Sequence, residues 1–314
     1  MQVNAAAGAM EEGFSVPPVV TGVGIALLAA VAVKGGARRI SALTERLVPF
    51  MTLGFLVVCL GVLALRRERI PDALAAIWRE AWEPISAGAG LGGFLLSRGA
   101  RFGVMRGLVS NEAGCGTAPI AHASADTDLP ARQGLFGLVE VFVDTVLLCT
   151  VTALCILVSD SGPAAFGEDT VRTAQAAFSS VLGSWAGWFF ALAILLFGVA
   201  TVVCWGHYGM RCVEYLTEDL TAGLPAGSAI GRWARTAYVL VLAVSLVAGA
   251  VTAPTAAWEL ADGVIALMTL LNLVILLLMN GEVKSETELL FPRHKPRRIC
   301  ISCERHASRK EKSP

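Results

Sequence analysis

The chain has 314 residues and no formal net charge, with 55% hydrophobic and 16% charged residues; soluble domains run at roughly 45–50% and 25%. Its mean hydropathy is +0.65. This composition excludes an ordinary soluble domain, and the lack of a long basic run before residue 293 excludes a nucleic-acid surface.

Lipid is therefore the expected solvent for most of the chain, which makes it a multi-pass protein of the cell membrane. The opening MQVNAAAGAMEEGF is neither basic nor apolar enough for a cleavable signal. Uncharged runs of about 18 residues or more can cross a bilayer, and the first two lie at 16–33 and 47–65. Between them KGGARRISALTER carries Lys34, Arg38, Arg39 and Arg46 and reads as a cytoplasmic loop. The next segment, RRERIPDALAAIWREAW (66–82), falls on the outer side despite four arginines. Its apolar residues Ile70, Leu74, Ile77 and Trp78 recur at helical spacing, which predicts an interfacial helix.

A third span, 86–116, is interrupted by Arg98, Arg101, Arg106 and Glu112, and a fourth, 134–158, by Glu140 and Asp144. The acidic SDSGPAAFGEDT (159–170) is expected outside, with Arg132, Arg211, Arg232 and Arg235 inside. TAQAAFSSVLGSWAGW, from 173, reads as an amphipathic surface helix, with a fifth span from about 187. Runs at 236–258 and 263–281 bring the expected spans to seven. Residues 1–290 then form the membrane domain, and 291–314 a disordered basic tail in the cytoplasm. Eight cysteines are scattered; Cys300 and Cys303 make one CxxC near His306, a weak metal pattern.

The third span is unusual. Gly88, Gly90, Gly92, Gly93, Gly99, Gly103, Gly107, Gly114 and Gly116 all fall in it, and each glycine costs close to 1 kcal/mol in a helix interior. Over 88–103 the spacing favours close helix packing. In SNEAGCG, where Ser110, Asn111 and Glu112 adjoin the glycines, a helix break is expected. Irregular backbone at membrane depth needs a covering cavity, and its freed amides and carbonyls can bind ions and carboxylates.

Asp144 is an acid in mid-span and so a functional candidate. Glu140 lies one turn before it, and Arg98 and Arg101 are candidate partners in a network that fixes packing. His122 and Asp126, also one turn apart, read as a polar cap or gate at the cytoplasmic end.

RFGVMRGLVSNEAGCGTAPIAHASA (101–125) resembles the hallmark of the alanine or glycine:cation symporters, close to RxGxxRGxFSNEAGxGSAPIAHAAA. VPPVVTG at 16, TAQAAFSS at 173, WGHYGMRCVEYL at 205 and WELADGVIALMTLLNLV at 258 match further family segments in order. The resemblance implies an all-α integral membrane protein with a LeuT-type core of two inverted five-helix repeats. On that template the seven spans are core helices four to ten, and MQVNAAAGAM ends core helix three. The family's first broken helix has no counterpart, which implies an N-terminally truncated carrier.

By the same resemblance Gln2 and Asn4 match a substrate-facing Q-x-N, and Ser110, Asn111, Glu112, Gly114, Gly116 and Thr117 match the hallmark, Thr117 keeping the usual hydroxyl. Trp205, Tyr208, Gly209 and Arg211 match WSYYGERC, from which Gly206, His207 and Met210 depart; the acid missing at Met210 removes the expected local partner of Arg211. Gln2, Asn4, Ser110, Asn111, Gly114, Gly116, Thr117 and Trp205 are thus candidate substrate contacts. Thr201, Asp144 and Glu112 are candidate cation or coupling residues, Thr201 because such folds place a hydroxyl ligand for sodium there.

The implied function is sodium-coupled symport of alanine or glycine, with sodium as coupling ion, no other metal and no enzymatic cofactor. Proton coupling, the choice of amino acid and the oligomeric state stay open. The alternative is a membrane remnant without independent transport activity. A membrane hydrolase built on Ser110, Glu112, His122 and Asp144 ranks last, because neither a nucleophile elbow nor HExxH is present.

Overall fold

A computed structural model describes residues 1–82, 98–160, 170–221 and 229–291. Among the described residues the regular elements are all helices. In order they are α1 Gln2–Phe14, α2 Pro18–Lys34, α3 Gly36–Leu65, α4 Ile70–Trp82, α5 Arg98–Asn111, α6 Ala118–His122 and α7 Pro130–Val141. A π turn, Phe142–Leu148, runs into α8 Cys149–Leu157. There follow α9 Thr170–Leu182, α10 Ser184–Thr221, α11 Ala229–Val251, α12 Pro254–Leu278 and α13 Asn280–Leu290.

Among the described residues five helices are long and apolar enough to cross a membrane: Thr44–Leu65, Pro130–Leu157, Ser184–Glu218, Ala229–Val251 and Pro254–Leu278. That is two fewer than expected. The run at 16–33 becomes α2, apolar but only 17 residues long. The run at 86–116 falls partly outside the described residues, and its described part, α5, is the arginine-bearing one. The tail from residue 292, with its CxxC, also lies outside the described residues.

Three boundaries differ from the sequence reading. The basic segment after Lys34 is not a loop: the chain turns at Gly35 and Gly36 and continues as one 30-residue helix through the span. The run expected to continue to 258 ends at Val251, and Pro254 starts α12 nine residues before the expected 263. Proline fits a first helical turn, where its missing N–H has no partner to lose. The segment from 173 is amphipathic, yet its apolar face does not lie on the surface. In α9, Ala174, Ala177 and Phe178 are buried, and Phe178 stacks 5.2 Å from Phe190 of α10.

That contact belongs to a core joining α3, α8, α9 and α10 through Phe55, Cys155, Phe178 and Phe190. A second core joins α1, α2, α10 and α11, with Val3, Ala6, Ala7, Ile25, Ala29, Val203 and Ala250. Small residues let these helices close up, the usual means of helix association in lipid, where no hydrophobic force drives it. A Cβ on Gly198 of α10 would lie 3.3 Å from Ala6 of α1. Along α12, by contrast, only 6% of the apolar window is buried, and Leu267, Leu270, Leu271 and Leu278 face outward.

The arginine-rich segment after α3 is a short 3-10 turn, Arg67–Arg69, followed by the expected helix, α4. Its position at the acidic end has a direct cause. Arg66 pairs with Asp160 of SDSGPAAFGEDT, and Arg69 meets the same carboxylate at 2.8 Å and donates to the carbonyls of Val158 and Ser159. Lys34 sits at the far end of α3, about 45 Å away for a 30-residue helix.

Candidate functional site

Helix α5 stops at Asn111, within SNEAGCG, as the glycines and polar residues predict. Glu112 takes up a left-handed conformation (φ 55°) that ends the helix. Its carbonyl accepts from the Gly116 amide at 3.1 Å and the Cys115 thiol at 3.2 Å, so the break closes into a tight turn before α6. Gly116 has φ 81°, and a Cβ there would stand 2.8 Å from Oδ1 of Asn272. Glycine is required on both counts.

The turn is braced from two sides. The Glu112 carboxylate accepts from the Trp205 indole of α10 at 2.5 Å and from the Thr117 hydroxyl at 3.0 Å. From α12, Nδ2 of Asn272 donates to the carbonyls of Ala113 and Gly114, both at 3.0 Å. Just before the break, Ser110 donates to Asp144 at 2.6 Å and lies 3.2 Å from the Thr145 hydroxyl. Asp144 stands in the π turn, whose extra residue per turn re-aims side chains and recurs at functional sites.

The structure thus gathers Ser110, Glu112, Gly114, Gly116, Thr117, Asp144 and Trp205 around one helix break. The polar contacts of the other candidates lie elsewhere. Asn4 donates to the carbonyls of Gly249 (3.1 Å) and Thr252 (2.7 Å), where α11 ends. The Gln2 carbonyl lies against Gly198 of α10. Thr201 donates to Phe197 one turn back, at 3.0 Å, and shares the helix face of Trp205 four residues on. The side chain of Asn111 lies outside the described residues, as do those of Arg98 and Arg101.

Comparison with known proteins decides what these elements belong to. A model of the sodium:alanine symporter family matches residues 1–297. The chain belongs to the sodium:alanine symporter family. It is 35% identical over 291 residues to the sodium/alanine symporter AgcS of Methanococcus maripaludis, covering 92% of this chain and 60% of that one. It is 32% identical over 283 residues to the amino-acid carrier protein AlsT of Bacillus subtilis, covering 90% and 56%. An uncharacterized transporter of the same bacterium, YflA, is 32% identical over 287 residues, covering 91% and 58%. The chain spans about three fifths of the length of these relatives. Membership in a transporter family, together with the apolar helices, makes it a multi-pass protein of the cell membrane.

Within this symporter-family chain, the packing adds a partner for Glu140 and corrects two sequence expectations. Glu140 lies 3.4 Å from His122, whose imidazole also meets Gln133 at 2.9 Å. Asp126 is not one turn from His122, because α6 ends at His122 and the chain turns away. Arg211 is not left alone by Met210: Glu214, one turn on, accepts from it at 3.0 Å. Two bracing elements went unread. One is Asn272, whose signal was a single amide in the apolar run LLNLVILLL. The other is Arg106, which forks onto Asp262 with both bonds at 3.0 Å and stacks 4.2 Å over the Trp258 ring, joining α5 to α12.

Proposed function

We propose that this chain forms the membrane domain, through residue 290, of a sodium-coupled symporter for a small neutral amino acid, alanine or glycine, with the SNEAGCG break at its centre. The observation that carries the reading is the break itself. It is a helix end, left-handed at Glu112 and braced by Trp205 and Asn272, that brings polar side chains and backbone together within an apolar chain. Discontinuous helices of this kind bind anionic substrate groups and sodium in secondary transporters.

In this reading Ser110, Asn111, Gly114, Gly116, Thr117 and Trp205 contact the amino acid, together with Gln2 and Asn4 of α1. Glu112, Asp144 and Thr201 serve the cation. Family membership supports sodium and an amino acid as the transported pair, and a LeuT-type inverted-repeat core is the architecture we infer. The name of AgcS supports alanine. Residues 291–314 would extend from the domain as a cytoplasmic tail.

The test is uptake of labelled alanine and glycine into liposomes carrying the purified chain, with and without an inward sodium gradient, alongside AgcS. Gradient-driven uptake, or sodium-dependent alanine binding, supports the reading. Neither, beside an active AgcS control, leaves the chain as a membrane piece without transport of its own.

A further inference from the structure

A cavity of about 380 Å³ opens between the C-terminal end of α2, the last turns of α10 and the start of α11. It lies away from the helix break and the groups gathered there. Lys34, Arg211, Arg232 and Arg235 line it, with Glu214 as the one carboxylate of the lining. Glu214 is shared, at 3.0 Å from Arg211 and 3.3 Å from Arg235, so it holds two guanidinium groups in place. The Tyr238 hydroxyl donates to the Gly206 carbonyl at 2.9 Å and fixes α11 against α10 beside the cavity.

Three observations select the ligand. The lining carries four cations against one anion, and guanidinium forks match phosphate oxygens. Met210, buried in the wall, is uncharged and leaves the excess of cations in the lining as it stands. Tyr215 and Trp233, each adjoining a lining residue, are 77% and 75% exposed, next to exposed Leu216 and Ile230. Exposed Tyr and Trp beside basic residues mark the headgroup level of a bilayer, and basic pockets between membrane helices bind anionic headgroups.

We propose that this cavity is a phosphate site that takes the headgroup of an anionic phospholipid, with the acyl chains lying along Leu216 and Ile230. It would tie α2, α10 and α11 together at one membrane face, independently of what the chain transports.

The test is thermal unfolding of the purified full chain in neutral detergent, titrated separately with phosphatidylglycerol, phosphatidylcholine and inorganic phosphate. Phosphatidylglycerol should raise the midpoint in a saturable way, and phosphatidylcholine should not. The double variant Arg232→Gln with Arg235→Gln should weaken apparent affinity about 25-fold, at about fivefold for each cation removed. Met210→Glu, which leaves every cation in place, should weaken it about fivefold. That variant decides the matter if the double variant does not fold, and Arg172→Gln on α9, outside the cavity, serves as the control that should leave the apparent lipid affinity unchanged. Inorganic phosphate giving the whole shift, with nothing added by phosphatidylglycerol, would keep the phosphate site and overturn the lipid as its source. No shift with either anion, or equal affinity in Met210→Glu, overturns the proposal.

Discussion

The Trp205 indole of α10 meets the Glu112 carboxylate at 2.5 Å, tying a 38-residue helix to the left-handed residue on which α5 ends. Trp205→Phe keeps an aromatic ring, smaller than the indole, and removes the donor, so one carboxylate oxygen loses its partner. Stability should fall by about 1.5–3 kcal/mol, the usual size for a hydrogen bond to a charged group. Glu112→Gln removes the charge while retaining an acceptor. Chemical denaturation of the two single variants and the double variant gives their coupling. A coupling below about 0.5 kcal/mol, the range of independent sites, would dismiss this bond as a brace.

Gly116→Ala tests the other wall of the turn. The substitution faces two penalties, a positive φ and the Asn272 amide 2.8 Å from the new methyl. Asn272→Ala relieves the second and leaves the first. The double variant should therefore be more stable than the sum of the single losses predicts, while remaining below the parent by about 1–2 kcal/mol of backbone strain and by the two hydrogen bonds that Asn272 made to the turn. Strict additivity would mean that Asn272 and Gly116 do not touch.

Much of this architecture was legible from residue spacing, and the rest was not for identifiable reasons. The break at SNEAGCG follows from glycines beside polar residues, and α4 from Ile70, Leu74, Ile77 and Trp78. Periodicity says which residues share a face but not what the face meets, so the spacing in α9 predicts a surface helix while Phe178 is in the core. The arginines after α3 fell on the acidic side by counting, and only the pairing with Asp160, 91 residues from Arg69, gives the reason. Asn272 and Asp262 lie 158 and 156 residues from Gly114 and Arg106, beyond the reach of any local pattern.

The Arg106–Asp262 fork predicts unequal roles for charge and shape. Arg106→Lys preserves the charge but loses one arm of the fork and the stack on Trp258. With the two side chains 36% and 27% exposed, solvent weakens the pair, and the loss should be about 1–2 kcal/mol. Exchanging the residues, Arg106→Asp with Asp262→Arg, should recover part of what either single change costs. An Arg106→Lys variant with an unaltered denaturation midpoint would reduce the fork to a surface contact.

Asp144 separates a structural from a coupling role. It accepts from Ser110 at 2.6 Å, one residue before Asn111 ends α5, and the π turn holds it there. Asp144→Asn keeps an oxygen for Ser110 but loses the charge; Ser110→Ala loses the hydrogen bond but keeps the charge. If Asp144 only positions the helix end, Ser110→Ala should be the more harmful change, and Asp144→Asn should keep its sodium dependence. If the carboxylate serves the cation, as proposed, Asp144→Asn should fold and bind the amino acid yet need about tenfold more sodium for half-maximal uptake, a loss of about 1.4 kcal/mol. Ser110→Ala should shift that midpoint far less. The readout is the sodium concentration dependence of alanine uptake or binding in both variants, and an unshifted curve for Asp144→Asn removes the residue from coupling.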